Sequence, residues 1–264
     1  VQPFRLGAFR LTALRDAQHI VDNDGKVFGL DAGPAAVAGV LKAAGAPADR
    51  ITLGVDALLV RMPGHVALLD SGYGAGVHGA LQQSVAMAGV SPAEVTDVLM
   101  THSHPDHVGG LATPDGRPAF PSAVIRMSSA EWAFMQAQGR TKALAAIIAP
   151  QVRTFQPGQM VLPGITAIGI PGHTPGHVGY EIVSAGQRLI DIGDSAHSSI
   201  VSLAKPDWSV GFDNDRDLGR TRRREILARL AKSREWVFSP HFPFPGVGHI
   251  VSSGDHYIWK PGLP

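Results

Sequence analysis

The chain has 264 residues, of which 44% are hydrophobic and 17% are charged, a composition typical of globular proteins with a substantial core. The 23 Lys and Arg residues against 22 Asp and Glu residues leave a formal net charge of +1, which argues against a nucleic-acid partner. The lack of cysteine excludes disulfide scaffolds, thiolate metal sites and cysteine nucleophiles, and no apolar run reaches the roughly 18 residues of a membrane span.

The first half of the chain predicts strands with two intervening helices. Apolar residues alternate with others over positions 9–13 and, more clearly, over positions 51–59. A Pro-Gly pair at 63 and 64 turns the second strand back into residues 65–69, which predicts a hairpin. Composition predicts helices over residues 34–44, closed by Gly45, and over residues 79–88.

The rest of the chain mixes short strands and helices. Ser91 with Glu94, and Ser128 with Glu131, have the spacing of helix-capping pairs. Strands are predicted at 98–101, 123–127, 165–170, 178–183, 188–192 and 235–238, with a helix at 217–232. The arginines at 220 and 222–224 on that helix are predicted to form a solvated face. Because no linker divides the chain, we predict one α/β domain over residues 1–264.

The segment THSHPDHVGG carries the strongest chemical signal. His102 and His104 lie two residues apart just beyond a predicted strand, so their rings can face one metal ion. Pro105 can start a helix whose opening turn holds Asp106 and His107, and these two can serve a second ion. Imidazole nitrogen and carboxylate oxygen at about 2.0–2.2 Å suit zinc and similar metals. A single histidine here would be a surface residue, but the cluster predicts a metal site.

Three later segments offer further ligands. A Pro-Gly turn in PGHTPGH presents His173 at a loop tip, whereas His177 in the same segment is either a ligand or a structural residue. In DIGDSAH the chain can bend at Gly193, so Asp194 is the better candidate for a carboxylate that reaches both ions. His241 follows the last predicted strand, where a lone histidine would usually be structural, and the earlier cluster reverses that interpretation.

The order HxHxDH, GHTPGH, GD and a late histidine resembles the metallo-β-lactamase fold superfamily over about residues 51–241. The resemblance implies an αββα sandwich, with two mixed sheets flanked by helices, and two Zn²⁺ ions per chain, other divalent metals staying open. It assigns His102, His104 and His173 to one zinc, Asp106, His107 and His241 to the other, and Asp194 to both. Asp70, in LLDSGYG, matches a position that supports the ligands from outside the metal shell.

Within that superfamily, HFPFPGVGHI is similar to the segment around the last histidine ligand of methyl parathion hydrolase and its relatives, which include quorum-quenching lactonases. The opening FRLGAFRLTALRDA and the segment DSAHSSIVSLAKPDWSVGFDNDRD also resemble that group. The resemblance implies a hydrolase that cleaves lactones, aryl or carboxylic esters, or organophosphate triesters through a metal-bridging hydroxide.

Three alternatives stay open at this point. A B3-like β-lactamase also works without cysteine, but it lacks a bridging aspartate at the position of Asp194. A mononuclear iron dioxygenase acting on a sulfur compound would make no evident use of His241. A non-catalytic zinc module needs a closed shell of four ligands, fewer than the seven candidates here.

Three residues are predicted to act in catalysis. Asp106 or Asp194 would shuttle a proton, and His197 stands three residues after Asp194. Acyl-homoserine lactonases of the superfamily carry at that offset a tyrosine that assists the substrate oxygen, so an imidazole donor is one hypothesis for His197. Otherwise His197 simply lines the pocket.

The expected partner is a small-molecule substrate, with no nucleic acid and no membrane, and a homodimer is left open. Apolar contacts to the substrate are predicted from Phe242, Phe244, Trp208 and Phe212. The chain starts without an initiator Met, which together with family habit favours a periplasmic or secreted protein, cytoplasmic location staying open.

Overall fold

The architecture rests on two seven-stranded β-sheets. The computed structural model describes residues 1–75 and 77–264. The first sheet contains, in spatial order, β1 (Gln2–Leu6), β2 (Phe9–Asp22), β3 (Arg50–Met62), β4 (His65–Leu69), β5 (Asp97–Leu99), β6 (Val124–Ser128) and β7 (Val152–Phe155). The second contains β8 (Met160–Leu162), β9 (Ile165–Gly169), β10 (Val178–Ser184), β11 (Gln187–Asp191), β12 (Trp236–Phe238), β13 (Val247–Ser253) and β14 (His256–Pro261).

Both sheets are mixed. In the first, β1 to β4 pair antiparallel and β4 to β7 pair parallel. In the second, β11 and β12 are parallel and the other pairs are antiparallel. The hairpin predicted around residues 63 and 64 is confirmed by the pairing of Met62 with His65.

The helices lie on the outer faces of the sheets. They are α1 (Pro34–Ala43), α2 (Leu81–Met87), α3 (Pro105–Val108), α4 (Ser129–Ala137), α5 (Lys142–Ile148), α6 (Val201–Ala204) and α7 (Arg216–Ser233). Apolar residues of α2, α4 and α5 pack on the first sheet, and those of α7 pack on the second. The predicted αββα sandwich is therefore confirmed. Over residues 1–75 and 77–264, no helix combines the length and apolar character that crossing a bilayer requires.

The main core fills the space between the two sheets. It includes Leu58, Val60 and Leu69 from the first sheet and Ile165, Tyr180 and Ile182 from the second. Each fully buried side chain of this size contributes about 1.5–3 kcal/mol, so this layer holds the sheets in a fixed relation. The Tyr180 hydroxyl donates to the backbone oxygen of Met100 at 2.7 Å, which joins the sheets where the histidine segment begins.

The predicted solvated face of α7 is wrong at one position. Arg222 is half-buried and Arg224 is exposed, but Arg223 is 1% exposed and forms an ion pair with Asp213 at 2.7 Å. The 3.6-residue period of the helix explains the difference, because it places residue 223 on the same face as Ile226, Leu227 and Leu230. The three consecutive arginines at 222–224 look alike in the sequence, although one of them points inward.

The candidate ligand segments follow strands whose carboxyl ends meet at one edge of the sandwich. The segments with His102, His173, Asp194 and His241 come directly after β5, β9, β11 and β12. Three backbone hydrogen bonds join the sheets at this edge: Val178 N to Thr101 O (3.0 Å), Gly54 N to His241 O (3.0 Å) and Asp56 N to Pro240 O (3.1 Å). Strand direction therefore brings residues far apart in sequence to one place.

A buried carboxylate beside this edge makes stability depend on pH. Asp56 on β3 is 3% exposed, and neither of its oxygens has a hydrogen-bond partner. Burial raises its pKa to about 7, although Arg15 and His241 oppose the shift. Between pH 4 and pH 7 the folded chain holds a proton here that the unfolded chain releases, so stability falls as pH rises through this window.

Replacing Asp56 by Asn should remove this loss. Between pH 5.5 and pH 8.5, the free energy of unfolding of Asp56→Asn relative to the parent should rise by about 2 kcal/mol. Urea denaturation of zinc-free protein at both pH values measures the difference, with the exposed Asp22→Asn as the control. If the free energies of unfolding of Asp56→Asn and the parent differed by the same amount at both pH values, Asp56 would be ionised in the folded protein over this whole pH range.

Candidate metal centre

The structure brings the seven predicted ligands together in two adjacent groups. One group holds His102, His104, His173 and Asp194, and the other holds Asp106, His107 and His241, with the ligand atoms of each group within 4.8 Å of one another. These residues come from four segments spread over 140 positions of the sequence. Their role as metal ligands remains a prediction, which the geometry below supports.

The first group is formed by three imidazoles. His173 Nε2 lies 2.8 Å from His104 Nδ1 and 3.2 Å from His102 Nε2, so three ring nitrogens face one point. Asp194 Oδ2 is 3.2 Å from His173 Nε2 and 3.6 Å from His102 Nε2. A tetrahedral N₃O ligand set of this kind suits zinc.

The second group faces the first across Asp194. Asp106 Oδ2 is 3.8 Å from His107 Nε2 and 3.6 Å from His241 Nε2. Asp194 Oδ1 lies 3.2 Å from His107 Nε2, whereas its Oδ2 lies 3.1 Å from His241 Nε2 and also faces the first group. Asp194 therefore contacts both groups, as a carboxylate shared by two ions must.

Two buried polar atoms of the cluster have no hydrogen-bond partner. They are His107 Nε2 and Asp194 Oδ1, and both residues are almost completely buried. Leaving such atoms unpaired costs about 1–3 kcal/mol each, so native proteins rarely tolerate them without an ion or a water. Nitrogen and oxygen donors that converge in this way fit divalent cations such as zinc.

The outer nitrogens of the histidine ligands are held by other groups. His107 Nδ1 donates to Asp70 at 2.8 Å, and His241 Nδ1 donates to Gly54 O at 2.6 Å. His173 Nδ1 donates to Asp213 at 3.1 Å. Each bond fixes the tautomer that leaves Nε2 free to bind a metal, and the carboxylate partners raise ligand basicity.

Asp70 contacts the predicted ligand His107, and its supporting role, which the family resemblance implies, stays a prediction. Its Oδ1 accepts from Thr101 N at 2.8 Å, and its Oδ2 accepts from Thr101 Oγ1 at 2.7 Å as well as from His107. Asp70 adopts φ 58°, a left-handed conformation uncommon for a non-glycine residue. These bonds fasten the segment that starts the histidine cluster.

His177 is a structural residue in this arrangement. Its Nδ1 donates to Ile170 O at 2.8 Å, and its Nε2 accepts from the backbone N of Asp194 at 3.0 Å. Burial and the neighbouring His173 lower the pKa of His177 to about 3, which keeps the ring neutral and able to accept. Both nitrogens are occupied, so His177 positions Asp194 and is not free to bind a metal.

Glu131 joins two ligand segments. The capping prediction at Ser128 is confirmed, because its hydroxyl accepts from Glu131 N at 3.1 Å. The Glu131 side chain turns inward instead of back to the helix start: Oε1 accepts from Ser103 N at 2.8 Å, and Oε2 accepts from Thr174 Oγ1 at 2.6 Å. Ser103 and Thr174 are each adjacent to a predicted ligand, so Glu131 sets the spacing of the first group.

Charges within the cluster balance one another. Burial opposes ionisation of Asp194, but the imidazoles of His241 and His107 outweigh it and hold its pKa well below the ordinary value. Burial likewise opposes protonation of His173, and the Asp194 and Asp213 carboxylates raise its pKa to about 9. Without metal the centre therefore carries protons that a bound cation would displace.

A cavity of about 280 Å³ opens over the cluster. Besides predicted ligands, it is lined by His19, Leu53, Tyr73, Pro105, Arg140, His197 and Phe212. His197 lies inside the cluster, 1% exposed, with its Nε2 3.3 Å from Asp194 Oδ2 and both ring nitrogens unpaired. Its ring stacks on His241 at 5.4 Å between centroids. The structure thus places His197 where it can contact a substrate above the ligands.

Of the four predicted aromatic contacts, Phe212 alone is among the described residues that line this cavity. The Phe212 ring lies 5.3 Å from that of His197. The prediction is wrong for Phe242, which is fully buried against Trp259 in the core beneath α7. The chain turns directly after β12, with Phe242 N donating to Ser239 O at 3.4 Å, and this turn directs Phe242 into the core and His241 toward Asp194.

The predictions for Phe244 and Trp208 are also wrong. Phe244 packs against the core between the sheets, with the Arg15 guanidinium 4.5 Å from its ring centre. Trp208 packs in a separate cluster with Val37 and Phe28. Aromatic residues near a ligand in sequence are more often core residues, and these two follow that rule.

Several residues that line the cavity or support a predicted ligand were not predicted from the sequence. Leu53 on β3 and Tyr73 in the loop after β4 line the cavity, and Asp213 supports His173 from 40 positions away. Tyr73 follows Asp70 closely, so proximity to that predicted support was a usable signal. Nothing local marks Asp213, because its role depends on the chain returning to His173 after α6.

Comparison with known proteins identifies the family of this chain. The family model of the metallo-beta-lactamase superfamily matches residues 50–241, and the chain belongs to this superfamily. An N-acyl homoserine lactonase from Bacillus cereus is 26% identical over 155 residues, which is 58% of each protein. The matched region thus spans little more than half of that relative's length.

Two solved structures are similar over nearly the whole chain. One is AidC, described as a dizinc quorum-quenching lactonase in complex with a product, N-hexnoyl-L-homoserine (25% identity, TM-score 0.94, 100% of this chain and 97% of that chain). The other is a hydrolase, AbOPH, in the beta lactamase superfamily (29% identity, TM-score 0.92, the same coverage). These similarities extend beyond the family segment to β1, β2 and the C-terminal strands.

Proposed function

We propose that this protein is a two-zinc hydrolase that opens lactone rings, with aryl or carboxylic esters and organophosphate triesters as poorer substrates. The observation that carries the proposal is the position of Asp194, whose two oxygens face both groups of ligands at 3.1–3.2 Å. A centre for two ions beneath a cavity is the usual arrangement for metal-assisted hydrolysis.

The comparisons support the lactone as the first choice. AidC resembles this chain over its full length, and its structure holds a ring-opened N-acyl homoserine as product. The Bacillus cereus relative is also an N-acyl homoserine lactonase. The cavity of about 280 Å³ is small among ligand sites, which favours a lactone ring with a short acyl chain.

The protein's own residues have defined roles in this reaction. Two bound zinc ions would lower the pKa of a water toward about 7 and polarise the substrate carbonyl. Leu53 and Phe212 contact the apolar part of the substrate and exclude bulk water. Water adds to the carbonyl carbon, the ring C–O bond breaks, and the alkoxide receives a proton. Asp106 or Asp194 accepts the proton from water and passes it to the alkoxide, while the neutral His197 imidazole donates a hydrogen bond to the leaving oxygen.

Two ions fit the ligand set better than one. A mononuclear iron dioxygenase would leave Asp106, His107 and His241 without an ion, although His107 and His241 are buried and face Asp194. A B3-like β-lactamase would not use the carboxylate of Asp194 as a bridge. A closed structural site would not leave a cavity over the ligands. The geometry therefore supports the hydrolase with two metals over these three alternatives.

A comparison of rates on zinc-loaded protein tests the proposal. The substrates are an acyl-homoserine lactone, dihydrocoumarin, p-nitrophenyl acetate, methyl paraoxon and nitrocefin. We expect the highest kcat/KM for the acyl-homoserine lactone. A clear preference for nitrocefin would instead identify a β-lactamase, and a preference for methyl paraoxon would identify a phosphotriesterase.

Loss of the His197 imidazole should slow turnover without loss of metal. In His197→Ala, kcat for the lactone should fall by about 100-fold, because the leaving oxygen loses its donor. The control is His19→Ala, which removes another histidine from the wall of the same cavity. Zinc content is measured in parallel. Unchanged kcat in His197→Ala would exclude the donor role, and loss of one zinc would make His197 a ligand instead.

A further inference from the structure

Arg223 is a buried cation with an unusual set of partners. It is 1% exposed, and its guanidinium donates to Ser195 O (3.0 Å), Pro206 O (3.2 Å), Trp208 O (3.0 Å) and Asp213 Oδ2 (2.7 Å). Only a planar fork of donors can reach so many acceptors at once. Burying such a charge is costly unless it is fully bonded, so this position needs arginine for a specific reason.

The partners of Arg223 connect it to the metal centre on two sides. Asp213 uses its other oxygen to accept from His173 Nδ1 at 3.1 Å. Ser195 directly follows Asp194 in the chain, so the bond to its backbone oxygen fastens the shared carboxylate as well. The backbone adds to this, because Asn214 N donates to His173 O at 3.0 Å. One side chain thus contacts the supports of two predicted ligands.

The same guanidinium holds one wall of the cavity. The wall segment, residues 206–213, runs between α6 and α7 and carries Phe212 into the cavity. Arg223 bonds to this segment at its start, through Pro206 and Trp208, and at its end, through Asp213. Arg223 therefore holds both ends of the wall segment, and Asp213 connects that segment directly to His173.

We infer that Arg223 and Asp213 are positioning residues that couple the zinc site at His173 to the cavity wall at Phe212. The inference rests on the proposed two-zinc function. Asp213 orients the His173 ring through one carboxylate oxygen, whereas Arg223 binds the other oxygen and holds the wall segment beside the same ligand. Metal binding at His173 and substrate binding against Phe212 should therefore respond to the same two side chains.

Asp213→Asn and Arg223→Lys separate the two effects. Asp213→Asn keeps the shape but removes the charge, so zinc affinity at the His173 site should fall about 10–100-fold, the usual effect of losing such a partner. Arg223→Lys keeps the charge but loses the fork, so KM should rise more than kcat falls. The control is Arg224→Ala, which lies next to Arg223 and is exposed.

The main readout is zinc release from the holoenzyme to a chromophoric chelator, followed over time. The wild type should release two zinc ions, and Asp213→Asn should accelerate the release of one of them at least tenfold while the release of the other stays unchanged. If Asp213→Asn released both ions at the wild-type rates, or released both faster by the same factor, the inference would be overturned. The proposed function would not be affected by that result. A wild type that never holds two zinc ions would overturn the proposed function.

Discussion

Replacement of Asp194 by Asn is expected to lower kcat/KM for lactone hydrolysis by about a thousandfold or more. The carboxylate is the group that faces both sets of ligands, and its charge offsets the repulsion of two cations bound side by side. Bound metal ions lower the activation free energy by several kcal/mol, and each 1.36 kcal/mol of that stabilisation that is lost slows the reaction tenfold. The amide has half the oxygen ligands and no charge, so at least one zinc should be lost.

Asp191→Asn is a matched control for this variant. Asp191 is equally buried on the same segment, but burial and the nearby Asp70 raise its pKa to about 8. At pH 7 it is therefore already neutral, and asparagine should replace it with little effect on rate or zinc content. Kinetics and elemental zinc analysis measure both variants. An Asp194→Asn protein with two zinc ions and the parental rate would refute the bridging role.

Removal of zinc is the second change for which we expect a large effect. Chelation should abolish lactone hydrolysis and lower the free energy of unfolding, by about 4 kcal/mol for each ion present at a thousand times its dissociation constant. The physical reason is that the unpaired, buried atoms His107 Nε2 and Asp194 Oδ1 are then left without a partner. Urea denaturation with and without zinc measures the loss.

The affinity for zinc should increase as the pH rises. The carboxylates Asp194 and Asp213 overcome the effect of burial and raise the pKa of metal-free His173 to about 9, so the ring is protonated at neutral pH. Zinc must displace that proton, and affinity should rise about tenfold per pH unit for each proton released, until pH 9. Calorimetry at pH 7 in buffers of different ionisation enthalpy counts the protons. Zero release would show that the ligands are already neutral.

Much of the fold could be predicted because its signals are local. Alternation over residues 51–59 and the Pro-Gly turn specify the β3–β4 hairpin, and hydrophobic periodicity specifies α7. The C-terminal strands β13 and β14 were missed because their partly exposed residues lack a clean alternation. The prediction of a single domain over residues 1–264 stays a prediction.

The residues of the site were likewise predictable only where neighbouring residues in the sequence identify them. The histidine segment was readable because four potential ligands fall within six residues, and Asp194 was distinguished from Asp191 by the bend at Gly193. Pocket residues were not readable, since whether Phe212 or Phe242 faces the cavity depends on packing between elements far apart in sequence. Arg223 shows a related limit: helical periodicity places it on the buried face of α7, but its acceptors lie in segments 10 to 28 residues away that the sequence does not connect to it.

Anomalous diffraction at the zinc absorption edge, from crystals grown with zinc, tests the central claim most directly. We predict two peaks about 3.5–4 Å apart, one bound by the first group of histidines and the other by Asp106, His107 and His241, with Asp194 contacting both. A single peak, or a second peak bound by residues outside these two groups, would contradict the assignment of a two-metal centre.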